Sequence, residues 1–400
     1  MNEYITINNR KVPLEGEKNV LSLIRKAGIN LPTFCYHSEM SIYGACRMCM
    51  VEDDKGRMFA SCFEKPKNGM VIYTNTPKLQ HHRKMIVELL LSSHCRDCTA
   101  CIANGDCTLQ KLAATLGIRE VRFENTNEHR PIDMSSHGIV IDMNKCILCG
   151  DCVRTCDEIQ GLGILNFVQK GANIRISSVE DKPLSETECV TCGQCRVVCP
   201  TGAITIKSNV HSVWDVIADP KKKVVVQIAP AVRVAIGDKF GLPKGENCIG
   251  KLVAALRRMG FDEIYDTNFG ADLTVMEESK EFLERLESGQ NLPLLTSCCP
   301  SWVRFCEKKH PSMVKNLSTC RSPQQMFGAL LKEYSRIDKT GDQETVVVSI
   351  MPCTAKKDEI LRPEHKTEGV QDVDYVLTTT EVTRMIQEAG IDLSALPDES

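Results

Sequence analysis

Two cysteine-rich stretches, CILCGDCVRTC at residues 146–156 and CVTCGQCRVVCP at residues 189–200, decide how this chain folds. Each contains the spacing Cys-x2-Cys-x2-Cys-x3-Cys, which supplies four sulfurs within eleven residues. Zinc ribbons use well-separated cysteine pairs, so tight triplets argue against zinc. The spacing is typical of iron–sulfur clusters, each of which takes four thiolates.

The two runs, the second followed by Pro200, resemble the two-cluster ferredoxins of bacteria. In that pattern the fourth cysteine of each run binds the other cluster. We therefore expect one 4Fe–4S cluster on Cys146, Cys149, Cys152 and Cys199. We expect a second 4Fe–4S cluster on Cys189, Cys192, Cys195 and Cys156.

Two further sets of four metal ligands lie upstream. The first set is Cys35, Cys46, Cys49 and Cys62. Its spacing departs from that of plant-type ferredoxins, but we interpret it as a 2Fe–2S site, with zinc as the alternative. The second set is His94, Cys98, Cys101 and Cys107. It also fits a zinc site with three cysteines and one histidine, and Cys95 competes for the fourth position, so the residues alone leave ligation by His94 open.

Composition excludes several classes of protein. The 22 cysteines belong to a chain of 400 residues with a net charge of −3 at pH 7, which gives no reason to expect nucleic acid or an anionic membrane as a partner. The first ten residues are polar and do not resemble a secretion signal. No apolar run reaches the ~18 residues of a membrane span. We expect a cytoplasmic protein whose reduced cysteines bind metal.

The pattern along the chain predicts an α+β multidomain fold with four domains. Residues 1–78 are expected to form a ubiquitin-like 2Fe–2S domain, and residues 79–125 a small His/Cys3 cluster domain. Residues 126–209 contain an internal repeat and are expected to form the two-cluster ferredoxin-like domain. Residues 210–400 alternate short β-branched strands with long helices, which predicts a mostly parallel α/β sheet.

Several elements of the last domain can be assigned from local patterns. Strands are predicted at Val224–Ile228, Glu263–Asp266, Leu294–Ser297 and Val346–Ile350. A helix is predicted over Thr274–Leu286. Sheets of this kind place their sites in the loops that follow the carboxyl ends of the strands.

Two motifs in this domain identify a family. TSCCPSW at Thr296–Trp302 and MPCTAKKDE at Met351–Glu359, together with the order of the four cluster sets, closely resemble the iron–iron (FeFe) hydrogenases with a full accessory-cluster set. The resemblance covers essentially all of the sequence and implies that His94 binds a 4Fe–4S cluster. It also implies an active-site cofactor, the H-cluster, in which a cysteine bridges a 4Fe–4S cube to a two-iron unit bearing CO, CN⁻ and azadithiolate ligands.

The resemblance carries roles over to individual residues. Cys299 and Cys353 match two of the thiolates that hold the cube, and Cys298 matches the thiol that passes protons to the azadithiolate amine. Lys356 matches the cation that binds a cyanide ligand. The pocket walls match Ala229, Pro230, Pro323, Gln324 and Met351. A proton path to the surface matches Glu278, Glu281, Arg285 and Ser318.

The residue types of the proton path admit two interpretations. Glu278 and Glu281 lie three residues apart on the predicted helix, so their carboxylates share a face. From the sequence alone this face could be a solvated charged surface. The family resemblance favours a relay of acids between surface and core.

One departure from the family pattern is serious. A third motif, with the remaining two cysteines of the active-site cube, is expected after Cys353, and no cysteine follows before Ser400. We expect the sequence to be part of a longer chain, so that its hydrogenase domain is the N-terminal part of that domain. The alternative is a non-catalytic relative.

The resemblance implies a hydrogenase catalytic subunit that interconverts 2 H⁺ + 2 e⁻ and H2, with electrons relayed through the accessory clusters. Its expected partners are ferredoxin or partner redox subunits of the flavin/NADH or formate dehydrogenase type, because two accessory clusters beyond the minimum indicate a multi-subunit complex. The competing hypothesis is an electron-transfer subunit of an NADH or formate dehydrogenase complex. Such proteins share the first 200 residues in kind, but the TSCCP and MPC motifs argue against them.

Overall fold

The computed structural model describes residues 3–125, 128–337 and 343–400. The chain divides into two compact units. Unit 1 comprises Met1–Ser135, Val140–Cys189 and Gln194–Thr205. Unit 2 comprises Ser136–Ile139, Val190–Gly193 and Ile206–Ser400. Within the described ranges no helix is both long enough and apolar enough to cross a lipid bilayer.

Unit 1 begins with a mixed five-stranded sheet in the order β2-β1-β5-β3-β4. Its elements are β1 Tyr4–Ile7, β2 Arg10–Pro13, α1 Val20–Lys26, β3 Met50–Asp53, β4 Met58–Ala60 and β5 Val71–Tyr73. Strands β1 and β2 form an antiparallel hairpin, with Asn8 and Asn9 in the left-handed conformation that asparagine tolerates in tight turns. Helix α1 buries its apolar face in the core that also contains Ile5, Val51 and Ile72.

Most of the remaining elements of this part of the chain are short. They are α2 Pro77–Ser92, α3 Thr108–Thr115, β6 Ile139–Ile141, α4 Asp151–Arg154, β7 Leu165–Val168, β8 Arg175–Ser178, α5 Gln194–Val197 and β9 Ile204–Ile206. Helix α2 starts at a Thr76 cap followed by Pro77. Its buried Arg83 donates hydrogen bonds to the carbonyls of Met48, Met50 and Thr74, which attaches the helix to the sheet.

Unit 2 contains a four-stranded sheet in the order β11-β10-β12-β15, and every neighbouring pair is parallel. Its elements in chain order are α6 Val210–Ala218, β10 Lys222–Ile228, α7 Val232–Ala235, α8 Ile249–Met259, β11 Glu263–Asp266, α9 Asn268–Ser288, α10 Pro300–Lys309, α11 Pro323–Ile337, β12 Glu344–Met351, α12 Lys356–Glu359, β13 Lys366–Thr367, β14 Val370–Gln371, β15 Tyr375–Thr378 and α13 Thr379–Glu388. The predicted parallel α/β sheet is therefore confirmed. The valine runs of β10 and β12 are buried, as expected for strands covered on both faces.

One predicted strand is wrong. Leu294–Ser297 forms only an isolated bridge, between Leu295 and Leu317. The segment follows Pro293, which lacks a ladder donor. Strand β10 already has β11 and β12 as its neighbours, and the segment is not one of the four strands of this sheet. The fourth position in the sheet is instead taken by β15, which was not predicted from the sequence.

The packing of α9 against α11 depends on a glycine. A Cβ atom on Gly270 would lie 2.6 Å from the carbonyl oxygen of Pro323 and 2.7 Å from Cβ of Phe327. Only glycine therefore allows the two helices to approach this closely. This contact fixes the first turn of α11, where two of the predicted pocket residues lie.

A buried ion pair joins α12 to α13. Lys357 is 3% exposed, and its ammonium group donates to Glu381 at 2.9 Å, to Asn209 Oδ1 at 2.5 Å and to the Val376 carbonyl at 2.7 Å. Burial lowers the pKa of Lys357, and the charge of Glu381 opposes that shift. Glu381 also completes the capping box of α13 with Thr378.

We predict that Lys357→Ala strongly destabilises this part of unit 2. Removing one partner of a buried ion pair leaves an uncompensated charge and costs about 3–5 kcal/mol. Hydrogen exchange of the α13 amides measures the local opening. Lys366→Ala, on the exposed strand β13, serves as the control and should change the opening free energy by less than about 0.5 kcal/mol. Equal protection of the α13 amides in both variants would contradict the proposed role of the Lys357–Glu381 ion pair in stabilising α13.

Candidate functional site

The His94 set surrounds a small cavity in unit 1. The cavity is lined by His94, Cys95, Cys98, Cys101 and Cys107, among others. The ring of His94 is 7% exposed, and its Nε2 is buried without a hydrogen-bond partner among the described residues. Its Nδ1 accepts a hydrogen bond from the N–H of Arg96 at 3.1 Å, which orients the ring. An orphaned imidazole nitrogen beside three cysteines fits a metal-ligand set.

Gly202 gives this cavity part of its shape. A Cβ atom at this position would lie 2.7 Å from Sγ of Cys101. Any other residue would therefore displace that sulfur. Cys95 lines the same cavity, with its sulfur 3.9 Å from Nδ1 of His94, so the structure places both candidates for the fourth ligand at this site.

The first ferredoxin-type set lines a second cavity in unit 1. Its sulfurs are those of Cys146, Cys149, Cys152 and Cys199. Cys199 thus comes from the second cysteine run, as the interleaved assignment expects. Burial raises the pKa of Cys146 to about 11, and it raises the pKa values of Cys149 and Cys152 as well. Buried thiols of this kind ionise when a cationic centre binds them, which fits a cluster site.

The second ferredoxin-type set is divided between the units. Cys156, Cys189 and Cys195 belong to unit 1, whereas Cys192 belongs to unit 2. The sulfur of Cys156 accepts a hydrogen bond from the N–H of Ile164 at 3.3 Å. The four sulfurs of this set therefore do not lie within one unit.

The Cys35 set lies in unit 1, and backbone N–H groups donate hydrogen bonds to two of its sulfurs. The N–H of Cys46 donates to Sγ of Cys35 at 3.3 Å, and the N–H of Phe34 donates to Sγ of Cys46 at 3.4 Å. A hydrogen bond from the Cys35 thiol lowers the pKa of Cys46 to about 6, and one from Cys62 lowers the pKa of Cys49 to about 7. The same two hydrogen bonds raise the pKa values of the donors Cys35 and Cys62, so each pair of cysteines shares one proton more readily than it loses two.

In unit 2 the predicted active-site residues gather at the carboxyl edge of the parallel sheet. Ile228 pairs with Ile350, and the N–H of Ala229 donates to the Ile350 carbonyl at 3.0 Å. Consequently the loop that begins with Ala229 and Pro230 starts beside the loop that contains Cys353. Such an edge is where open α/β sheets bind ligands.

Cys353 is half-buried, and its environment includes the second predicted cube ligand. Burial raises the pKa of Cys353, the N–H groups of Ala355 and Lys356 oppose this rise by donating to its sulfur, and the nearby Cys299 thiolate reinforces it. Cys299 is exposed and forms the N-cap of α10. The structure therefore brings the two sulfurs near enough to interact electrostatically.

Lys356 is held at this edge by two kinds of acceptor. Its ammonium group donates to the carbonyl of Cys298 at 3.0 Å and to Glu359 at 2.9 Å. Glu359 is 3% exposed and also accepts hydrogen bonds from Ser322 Oγ and Gln324 Nε2, each at 3.0 Å. Glu359 thereby joins the lysine to the wall formed by α11.

Neither Glu359 nor Ser322 was predicted from the sequence as a site residue. The available signal for Glu359 was its place in the MPCTAKKDE motif, three residues after Lys356 and hence on the same helical face. Ser322 gave no comparable signal, because its partner Glu359 lies 37 residues away in the chain.

The remaining wall residues are fixed by the sheet. Gln227, which is fully buried on β10, donates from Nε2 to the carbonyl of Gln324 at 2.9 Å and accepts from Thr267 Oγ1 at 3.1 Å. Pro323 begins α11, and Met351 is the last residue of β12. The first turn of α11 is therefore tied directly to the central strand.

Three of the four predicted proton-path residues form one hydrogen-bonded group. Glu281 accepts from Arg285 at 2.5 Å, from Ser318 Oγ at 2.8 Å and from the N–H of Thr319 at 3.1 Å. Burial raises the pKa of Glu281, but these hydrogen bonds outweigh burial and the pKa is lowered overall. Arg285 is buried and also donates hydrogen bonds to the carbonyls of Asn291, Asn316 and Leu317. These bonds fix the orientation of its guanidinium group.

Two proton-relay candidates lie outside this group: Glu278, the fourth residue of the path, and Cys298, the thiol at the active site. Glu278 has a buried Oε1 without a partner among the described residues. Among the residues that the structure describes, no hydrogen bond joins Cys298 to Glu278 or Glu281. The Sγ atom of Cys298 lies 4.0 Å from Oγ1 of Thr296. Cys320 was not predicted as a site residue, and its sulfur lies 3.9 Å from Oε2 of Glu281.

We predict a pH-dependent loss of order in the loop around Ser318. Since the folded-state pKa of Glu281 is lowered, its stabilising effect is fully present above the ordinary pKa of about 4.3 and disappears as the pH falls through the lowered value. Glu281→Gln should therefore weaken the amide protection of residues 317–320 at pH 7 by about 1 kcal/mol, a value reduced for solvent screening.

Hydrogen exchange compared between wild type and variant tests this expectation. The difference should vanish once the pH lies below the lowered pKa of Glu281. Glu284→Gln, on the exposed side of the same helix, is the matched control and should leave the loop unchanged. A Glu281→Gln difference that persisted at the acid end would show that the carboxylate charge is not the cause.

Family models match the chain in four consecutive segments. Residues 4–77 match the 2Fe-2S iron-sulfur cluster binding domain, and residues 83–122 match the NADH-ubiquinone oxidoreductase-G iron-sulfur binding region. Residues 136–205 match the ferredoxin-like domain of NADH-quinone oxidoreductase subunit 3. Residues 222–400 match the C-terminal domain of the iron only hydrogenase large subunit.

Curated relatives extend this similarity across both halves. The NADP-reducing hydrogenase subunit HndD of Solidesulfovibrio fructosivorans is 42% identical over 410 residues, covering 99% of this chain and 70% of that protein. Iron hydrogenase 1 of Clostridium pasteurianum is 34% identical over 397 residues, covering 98% of this chain and 69% of that protein. The mitochondrial NADH-ubiquinone oxidoreductase 78 kDa subunit of Neurospora crassa is 34% identical over 206 residues, covering 51% of this chain and 27% of that protein.

Proposed function

The chain belongs to the iron-only (FeFe) hydrogenase family, and from this premise we propose that it acts as the subunit that interconverts 2 H⁺ + 2 e⁻ and H2. The observation that carries the proposal is the group of Cys299, Cys353 and Lys356 at the carboxyl edge of the parallel sheet. A relay of iron–sulfur clusters in the first 205 residues supplies or removes the electrons.

The ligand sets support a specific inventory of cofactors. We assign a 2Fe–2S cluster to the Cys35 set and three accessory 4Fe–4S clusters to the His94 set and the two ferredoxin-type sets. Buried thiols and the orphaned Nε2 of His94 fit these groups. Cys299 and Cys353 would hold the cube of the H-cluster, whose CO-, CN⁻- and azadithiolate-bearing iron unit supplies the two-electron chemistry when bound.

Proton transfer is assigned to the chain's own side chains. Cys298 supplies a thiol, one of the side-chain groups that can act as a general acid or base. Glu281, kept ionised by its hydrogen bonds, can accept a proton, while Arg285 and Ser318 hold its carboxylate in place. Glu278, with its unpartnered oxygen, is the proposed carrier between Glu281 and Cys298.

Lys356 is proposed to orient the active-site group by donating to one of its cyanide ligands. Its side chain is 11% exposed, and its ammonium group forms an ion pair with Glu359 at 2.9 Å. The carbonyl of Cys298, held by the same ammonium group, ties the proton donor to the cyanide-binding cation. Ala229, Pro230, Pro323, Gln324 and Met351 would exclude water from the remaining sides.

The electron partner is proposed from the first half of the chain. Its matches to NADH-oxidoreductase cluster regions, and the name of the NADP-reducing relative, support a multi-subunit complex with a flavin-bearing, NAD(P)-linked subunit. Ferredoxin or a formate dehydrogenase subunit are the competing partners. We further propose that the complex works in the cytoplasm of an anaerobic cell. An electron-transfer role alone leaves the hydrogenase match over residues 222–400 unexplained.

We predict that Cys298→Ser leaves the iron content of the protein intact but lowers H2 evolution from reduced viologen by about 10²–10⁴-fold, the usual contribution of an acid–base group. Serine retains the size of the side chain but does not release a proton near neutral pH. Thr296→Val, which alters a side chain 4.0 Å from the Cys298 sulfur without removing the thiol, is the control. Wild-type turnover in Cys298→Ser would refute the proton role.

A further inference from the structure

The segment between the first two ligands of the Cys35 set is unusually long. Ten residues separate Cys35 from Cys46, a spacing wider than that of plant-type ferredoxins. Ligation alone does not require this length. Residues 36–45, called here the docking loop, therefore have another structural task.

The docking loop packs against the first cysteine run and the strand that follows it, all within unit 1. Ser41 donates from its N–H to Glu158 at 2.7 Å and also from its hydroxyl to the same carboxylate. Thr155 Oγ1 contacts the sulfur of Met40 at 3.1 Å. Tyr43 stacks on Phe167 with ring centroids 5.7 Å apart and an interplanar angle of 20°.

Arg154 lies at the centre of this contact. It is 8% exposed, and its guanidinium donates to the carbonyl of Cys35 at 2.9 Å, to the carbonyl of Ser41 and to the carboxylate of Asp151. The same group lies 5.7 Å from the centre of the Tyr43 ring. Arg154 is also two residues before Cys156 and two after Cys152, so it belongs to the segment that carries the ferredoxin-type ligands.

We infer that Arg154 is a positioning residue of the electron relay, which fixes the Cys35 site against the Cys146 site and stabilises the reduced state of the 2Fe–2S cluster. This inference rests on the cluster assignments of the proposed function. Asp151 offsets part of the charge of the guanidinium. Because reduction adds negative charge to a cluster, the hydrogen bond that Arg154 donates to the carbonyl of the ligand residue Cys35 still favours the reduced state. A planar guanidinium can donate in three directions at once, which a lysine cannot reproduce in the same geometry.

The test is a potentiometric titration of the full-length protein followed by electron paramagnetic resonance. At the wild-type midpoint potential of the 2Fe–2S cluster, Arg154→Gln should lower the ratio of reduced to oxidised cluster about tenfold, which is 59 mV for a one-electron couple. The magnetic coupling between this cluster and its neighbour should weaken as well. Arg57→Gln, which removes an exposed arginine from the same sheet domain, is the control and should leave both properties unchanged.

Two further variants distinguish the positioning role of Arg154 from the effect of its charge. Arg154→Lys keeps the positive charge but loses the planar guanidinium group. The magnetic coupling between the clusters should therefore weaken, while the midpoint potential of the 2Fe–2S cluster should shift less than in Arg154→Gln. Glu158→Gln leaves Arg154 intact but weakens the bonds to Ser41, so it should loosen the docking loop, measured by hydrogen exchange of residues 36–45. These two variants provide the test if Arg154→Gln does not fold.

The outcomes distinguish this inference from the proposed function. An unchanged potential and unchanged coupling in Arg154→Gln, with a normal 2Fe–2S signal, would overturn the role of Arg154 alone. Loss of coupling in Arg154→Lys with a retained potential supports it. A wild-type protein without any 2Fe–2S signal would instead overturn the cluster assignment on which the inference rests.

Discussion

Seven consecutive parallel residue pairs, from Lys222–Glu344 to Ile228–Ile350, align β10 with β12, and the arrangement of the catalytic half depends on this register. Because the strands are parallel, both end at the same edge, and the loops that follow them start side by side. Gln227, one residue before the end of β10, extends this constraint to α11 through the carbonyl of Gln324. A shift of β10 by one residue relative to β12 would turn Gln227 and the other side chains of β10 to the opposite face of the sheet.

In unit 1 the corresponding constraint comes from polar side chains that act between distant segments. The sheet is small, and its core includes two residues of the Cys35 set, Cys49 and Cys62. Arg83 attaches α2 to the sheet through three carbonyls, and Arg154 attaches the docking loop to the first cysteine run. Arginine suits both positions because its donors diverge within one plane and can satisfy several buried carbonyls.

The sequence predicts those features that depend on local spacing. The cysteine runs indicate the interleaved ligand sets, and the valine runs of β10 and β12 indicate a parallel sheet. The segment Leu294–Ser297 has the composition of a strand but forms only an isolated bridge with Leu317, which only the tertiary structure reveals. Glu359 and Arg154 were missed for a related reason, since their partners Ser322 and Cys35 lie 37 and 119 residues away in the chain.

The pairing of Lys356 with Glu359 has a consequence for selectivity. A lone buried ammonium group would attract any small anion, including chloride and phosphate. Here the carboxylate of Glu359 lies against the ammonium group and offsets most of that attraction. We therefore expect chloride, phosphate and other common cellular anions to bind this pocket weakly, because its net charge is close to zero.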